Sequence, residues 1–310
     1  MRPRAGPDPS SLRLPGPWAH RAVSANGIRL HVAELGDGPV VVLLHGFAEF
    51  WWTWHHQLKA LADAGFRAVA VDLRGYGDSD KPPRGYDLWT LAGDVSGLIG
   101  ALGEARAAVV GHGWGGLIGW TLAALHPRRV TRLVSIGSAH PRALRSAMLR
   151  DLGGQGAATA SYAVGFQVPR RPERSLRADG AARVERFLRA WSGPGWSATD
   201  DFATAAAHYR AAMGVPHVAH CSLEYHRWAA RSQLRSDGRR FAAAVARVPE
   251  VPVLQIHGAD DPCILPSTAA ASARWAGPDH RLELLDGCGH FPHEEQPDAV
   301  MRLLAGFLST

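Results

Sequence analysis

The sequence predicts an α/β fold: a mostly parallel sheet flanked by helices, with one helical block inserted between two sheet strands. Three observations carry this. Short apolar runs alternate with amphipathic stretches from residue 20 to 136, and the same rhythm returns from Val253 to Leu308. Between them, Pro141 to about Pro249 is rich in Ala, Arg, Gly and Trp, keeps a helical period and contains the irregular piece SGPGWSATDD. No segment repeats at a fixed period.

In order, the first block supplies strands at His20–Ser24, Arg29–Leu35, Val40–His45, Arg67–Leu73, Ala107–Gly111 and Val130–Ile136. Helices are expected at Trp52–Ala64, Thr90–Leu102 and Trp114–Leu125. The second block supplies strands Val253–His257 and Arg281–Leu285, with helices near Ser267–Trp275 and Glu294–Leu308. The expected organisation is a loose N-terminal tail over residues 1–19, a core from 20–140 and 250–310, and a helical cap over 141–249.

Composition narrows the function. Hydrophobic residues make up 46% and charged residues 20%, and no apolar run is long enough to span a bilayer, so a soluble protein with no membrane partner is expected. The early arginines are not followed by an apolar segment, which argues against a secretory signal. Cys221, Cys263 and Cys288 form neither a disulfide framework nor the paired spacing of a metal site, and a cytoplasmic location fits them. The net charge is +6, yet Lys59 and Lys81 are the only lysines and the arginines are dispersed, densest from Arg170 to Arg189. That pattern is a solvated surface and excludes nucleic acid as the expected partner.

The chemistry centres on GHGWGG, residues 111–116, which lies after a strand and before a helix. It satisfies Gly-x-Gly-x-x-Gly, but a dinucleotide turn wants an acidic residue about 20 positions on. No Asp or Glu occurs between Glu104 and Asp151, and Trp114 would crowd a pyrophosphate. It also satisfies Gly-x-Nu-x-Gly-Gly, the sharp elbow that displays a nucleophile at its apex, and the apex here is Gly113.

The stretch HGFAEFWWTWHHQLKALADAGFRAVAVDLRGYGDSDKPP, residues 45–83, and the loop GCGHFPHEEQPDAV, residues 287–300, together with the elbow, resemble the epoxide hydrolase branch of the alpha/beta-hydrolase superfamily. The resemblance runs from about residue 20 to the C-terminus and is weakest in the inserted block. It implies the alpha/beta-hydrolase fold, a small apolar substrate, and no organic cofactor or metal. It also implies a carboxylate at the elbow that opens the epoxide as a covalent ester, and a histidine with an acid partner that activates water to cleave that ester. By the same resemblance His290 matches the base and Asp261 the acid, with Asp260 the competing choice; the amides of Phe47 and Trp114 match an oxyanion hole. Ala48 stands where the family commonly has proline. In the inserted block Tyr162 matches the first of two phenols that hold the epoxide oxygen. At the second, His226 occupies the position and Tyr225 lies one place early. Haloalkane dehalogenases share a tryptophan after the nucleophile, as Trp114 is here, but Phe47 lacks the side-chain donor their halide site draws from that position.

Gly113 departs from the pattern, because glycine adopts the elbow's positive φ readily and supplies no carboxylate. Glu49, near the oxyanion loop, is the one carboxylate the sequence offers in its place. Three expectations follow: slow hydrolysis of an epoxide or ester by water that His290 and Asp261 activate directly, a non-hydrolytic ligand-binding protein, or a deliberate removal of the nucleophile.

Overall fold

The computed structural model describes residues 6–309. Its eight strands are β1 (Ala19–Ala25), β2 (Ile28–Leu35), β3 (Val40–Leu44), β4 (Arg67–Val71), β5 (Ala107–His112), β6 (Val130–Ile136), β7 (Val253–Gly258) and β8 (His280–Leu285). They form one sheet in the order β1-β2-β4-β3-β5-β6-β7-β8. β2 is antiparallel to both β1 and β4, and every later pairing is parallel. The central strands explain themselves: VVVLL in β3 and AAVVGH in β5 are buried at every residue, as strands covered on both faces must be.

The flanking helices of the first block are α1 (His55–Asp63), α2 (Leu88–Ala101) and α3 (Trp114–Leu125). Between β6 and β7 the chain makes α4 (Pro141–Arg150), α5 (Ala157–Phe166), α6 (Arg171–Arg177), α7 (Ala182–Trp191), α8 (Asp200–Gly214), α9 (Val218–Ser232) and α10 (Ser236–Ala244). After β7 come α11 (Pro266–Ala270), α12 (Pro292–Glu295) and α13 (Pro297–Leu308). Helix α3 is apolar all round and buried along almost its whole length, because it is wedged into the layer against the sheet.

Three sequence expectations are corrected. The helix expected from Trp52 opens as a 3₁₀ turn, Trp51–Trp54, before α1 begins. The helix expected over Glu294–Leu308 is two helices, because Pro297 disfavours the α conformation at Gln296, which sits at φ −138°. The loose tail is the third. Residues 1–5 of it lie outside the described residues, but Leu12 is buried, its carbonyl accepts the Trp51 indole N–H at 2.9 Å, and Arg13 pairs with Asp78 at 2.6 Å. Trp18 packs edge-on against Trp51 with ring centroids 5.2 Å apart. This anchorage depends on side chains far away in sequence, which no local pattern reveals.

The parallel strands β3, β5, β7 and β8 all end on the same edge of the sheet. The loops that leave them carry Phe47, Gly113, Asp261 and His290. Carboxyl ends of parallel strands are where an α/β sheet gathers ligands.

Candidate active site

Gly113 is the residue between β5 and α3, at φ 50° and ψ −111°. A Cβ built there would meet His290 Nε2 at 3.6 Å and Gly46 Cα at 3.7 Å, both ordinary van der Waals distances. The flanking glycines have no such room: a Cβ on Gly111 would lie 2.2 Å from the Gly115 carbonyl oxygen, and one on Gly115 2.1 Å from that of Leu44. The turn therefore requires small residues on both sides and leaves room for a Cβ at its apex, beside the histidine, although the positive φ strains any L side chain placed there.

His290 Nδ1 lies 2.8 Å from Asp261 Oδ2. The other oxygen of Asp261 accepts the backbone N–H groups of Cys263 and Ile264 at 2.8 and 3.0 Å. Of the two candidate acids, Asp261 is buried against the ring and Asp260 is exposed. Burial opposes charge on both partners, but each stabilises the other's ionised form: the Asp261 carboxyl is held below its usual range, and the His290 imidazole lies well above its own.

Phe47, Gly113, Trp114, Tyr162, His226 and His290 line one cavity of about 180 Å³. Asp261 stands behind His290, outside the lining. A dry cavity of about 150 Å³ accepts benzene, so the space suits a small apolar molecule. Trp114 is the first residue of α3, and its N–H therefore has no carbonyl one turn back to receive it. Tyr162 stands on α5 with its hydroxyl 3.6 Å from Cys263 Sγ. Burial, with Cys263 next in influence, pushes its pKa well above the ordinary phenol value, so it remains a proton donor.

The second donor expected from the inserted block, His226, lines the cavity but has its nitrogens turned to other groups. His226 Nε2 accepts the Trp114 indole N–H at 3.1 Å and Nδ1 faces the Ser222 carbonyl at 3.3 Å, while burial depresses its pKa to about 4. Both nitrogens are engaged, and the ring orients Trp114 instead of donating to a ligand. Tyr225 is fully buried and donates to the Arg74 carbonyl at 2.7 Å. Glu49 is also committed elsewhere: its Oε2 accepts the Gly46 N–H at 2.5 Å and faces His112 Nδ1 at 2.9 Å, and it does not line the cavity.

Two participants escaped the sequence reading. Cys263, two residues after Asp261, reaches the cavity beside Tyr162 and His290. Trp191 accepts the His290 backbone N–H at 2.7 Å and packs edge-on against its ring, tying the inserted helices to the histidine loop. Position in the acid turn could have pointed to Cys263; nothing local marks Trp191.

The family model for the alpha/beta hydrolase fold matches residues 39–297. The chain belongs to the alpha/beta hydrolase family. Among its relatives, the AB hydrolase superfamily protein YfhM of Bacillus subtilis is 33% identical over 92% of this chain and 96% of its own length. Epoxide hydrolase A of Mycobacterium tuberculosis is 31% identical over 95% of this chain and 98% of its own. Of solved structures, an epoxide hydrolase from an endophytic Streptomyces superposes with a TM-score of 0.80 at 29% identity, covering 95% of this chain and 96% of that one. This alpha/beta hydrolase thus has epoxide hydrolases among its homologues across nearly its whole length.

Proposed function

We propose that this alpha/beta hydrolase cleaves a small apolar epoxide or ester by direct attack of water, with His290 as general base and Asp261 as its orienting partner. The observation that carries the reading is the aim of the imidazole: Asp261 holds Nδ1, so Nε2 faces the space where a side chain at position 113 would project. A water there has a base on one side and the cavity on the other. Tyr162 donates to the opened ring oxygen, and the Phe47 and Trp114 amides support a developing oxyanion. Gly113 supplies no carboxylate, so no ester to the elbow forms.

The deprotonated imidazole is the reacting form. Asp261 holds the His290 pKa above the ordinary imidazole value, so turnover rises with pH through that elevated pKa. General-base assistance is worth about 10²–10⁴-fold, which sets the expected loss in His290→Ala. Asp261→Asn mis-sets the ring and lowers the rate as well. The deciding measurement is a single turnover of aryl epoxides and short esters in ¹⁸O-water: label belongs in the product alone. Label in the protein, or a trapped adduct at intact mass, contradicts the mechanism.

The engagement of both His226 nitrogens favours a second reading, a ligand-binding protein without hydrolysis, since the cavity then holds a single phenol donor. That reading gains if His290→Ala binds the same apolar compounds as the unmodified protein and neither form turns them over.

A further inference from the structure

Away from the cavity, helices α1 and α8 bring three metal-binding side chains together. His55 and His56 open α1, and Asp201 lies in the first turn of α8. One ligand atom of each, a ring nitrogen or a carboxylate oxygen, lies within 4.8 Å of the other two. None of the three lines the cavity.

The hydrogen bonds around this cluster leave its ligand atoms available. His55 Nδ1 is 3.0 Å from the Trp52 carbonyl oxygen. A carbonyl only accepts, so Nδ1 carries the proton and Nε2 keeps its lone pair. Among the described residues none hydrogen-bonds that Nε2. The Trp52 ring stacks on the imidazole with centroids 3.9 Å apart and fixes its plane. Burial, and after it the neighbouring His56, holds the His55 pKa down at about 4, so the ring is neutral near pH 7 and able to ligate. On the carboxylate, Oδ2 accepts the Trp196 indole N–H at 2.8 Å, while Oδ1 faces His56. An imidazole held through its N–H by a carbonyl, and a carboxylate held by a donor, are the supports that metal ligands commonly have.

Distance and charge suit a metal ion as well. His56 Nε2 and Asp201 Oδ1 are 3.5 Å apart. That is longer than the roughly 2.7–3.2 Å of an N–H···O bond and close to the roughly 3.3 Å between two ligands of a tetrahedral zinc. The His55 and His56 rings stand beside each other, with centroids 3.8 Å apart. The chain carries 34 lysines and arginines, yet among the described residues Asp201 pairs with none of them and faces His56 instead. Both helix starts are electropositive, which weakens a cation site, and the Asp201 charge offsets this.

We propose that His55, His56 and Asp201 bind one Zn²⁺ ion, which ties α1 of the core to α8 of the inserted helices. Two imidazoles and a carboxylate are zinc ligands, and three protein ligands leave the fourth position of the ion to water. The tie is structural and independent of the reaction at His290.

In the test, tag-free protein stripped with EDTA is titrated with ZnCl₂ by calorimetry and by thermal unfolding. The expected result is one zinc per chain and a melting temperature raised by about 5 °C when free zinc exceeds its Kd about 100-fold. His55→Ala and Asp201→Asn should each abolish both effects; should one variant fail to fold, the other keeps the test. Trp196→Phe, which releases Asp201 Oδ2, should weaken binding by about 10–100-fold. His220→Ala, which removes an exposed histidine paired with Glu173, should bind zinc as the unmodified protein does. Absence of zinc uptake overturns the site. Uptake undiminished in folded His55→Ala or Asp201→Asn places the ion elsewhere and overturns it too. Uptake that is lost in these variants but never raises the melting temperature shows that the unfolded chain binds zinc equally well, and overturns the tie between the helices.

Discussion

Gly113 and Ala48 both sit on loops leaving the central strands, and both take a positive φ, 50° and 65°. At 113 the backbone is filled by the residue best suited to it. At 48 an alanine bears the left-handed penalty of about 1–2 kcal/mol, and a proline, locked near −65°, could not adopt this conformation at all. The loop that presents the Phe47 amide is therefore shaped by a strained alanine and not by a rigid imino acid. Ala48→Gly should raise stability by up to about 1 kcal/mol, read by denaturant titration; a fall would show that the alanine methyl packs for more than the strain it causes. Gly113→Asp should do the reverse, destabilising by about 1–3 kcal/mol while greatly raising epoxide hydrolysis through a covalent ester. The ester should appear as a mass gain equal to the epoxide when His290 is also replaced by alanine. A folded Gly113→Asp that forms no ester and turns over no epoxide would show that an elbow carboxylate alone is insufficient, with the engaged His226 and Tyr225 the first features to examine.

At the scale of elements, the site is an agreement between strand ends and the inserted helices. Helix α5 brings Tyr162, α9 brings His226, and the end of α7 brings Trp191, whose carbonyl holds the His290 backbone. The N-terminal segment works on the opposite principle, as a strap across the 3₁₀ turn at Trp51. Its anchor is Leu12, 3% exposed, and Leu12→Ala should destabilise by about 2–4 kcal/mol in thermal or chemical unfolding. A change near zero would mean that the strap contributes little beyond the Trp51 hydrogen bond. Helix α2 begins at an Asp87 cap, whose carboxylate accepts the Thr90 N–H at 2.9 Å and the Thr90 hydroxyl at 2.8 Å.

For the whole molecule, buried histidines set the response to pH. Burial holds His55 at about 4, His140 at about 3 and His226 at about 4, all below the unfolded value near 6.5. Below 6.5 the unfolded chain therefore binds protons that the folded chain refuses, and stability falls as pH drops through this range. His290 has the opposite sign: its folded pKa is raised, so its contribution is complete below 6.5 and is lost as pH rises through the folded value. Asp261, depressed in the fold, contributes above about 4 and loses that contribution as pH falls through its folded pKa. Three depressed histidines outweigh the single raised one, so the unfolding midpoint should fall from pH 7 to pH 4.5. A flat or rising midpoint over that interval would show that these rings gain protons without unfolding.

Local patterning was enough to read the alternation of strands and helices, the inserted helical block, and the elbow at residues 111–116. Apolar periodicity and glycine spacing are properties of neighbouring residues, and VVVLL or GHGWGG carries them wherever the chain folds. The order of motifs pointed to His290 and to Asp261, with Asp260 left as a competing acid. Tertiary structure alone decided which nitrogen and which carboxylate are occupied. His226, Tyr225 and Glu49 all looked available as donors or acids, yet each is bound by a group remote in sequence: the Trp114 indole, the Arg74 carbonyl, and His112. The strap at Leu12 and the Trp191 contact are of the same kind. A side chain's hydrogen-bonding capacity is written in its residue type, but burial obliges that capacity to be satisfied, and the partner that satisfies it is whichever group the packing brings within 3 Å or so.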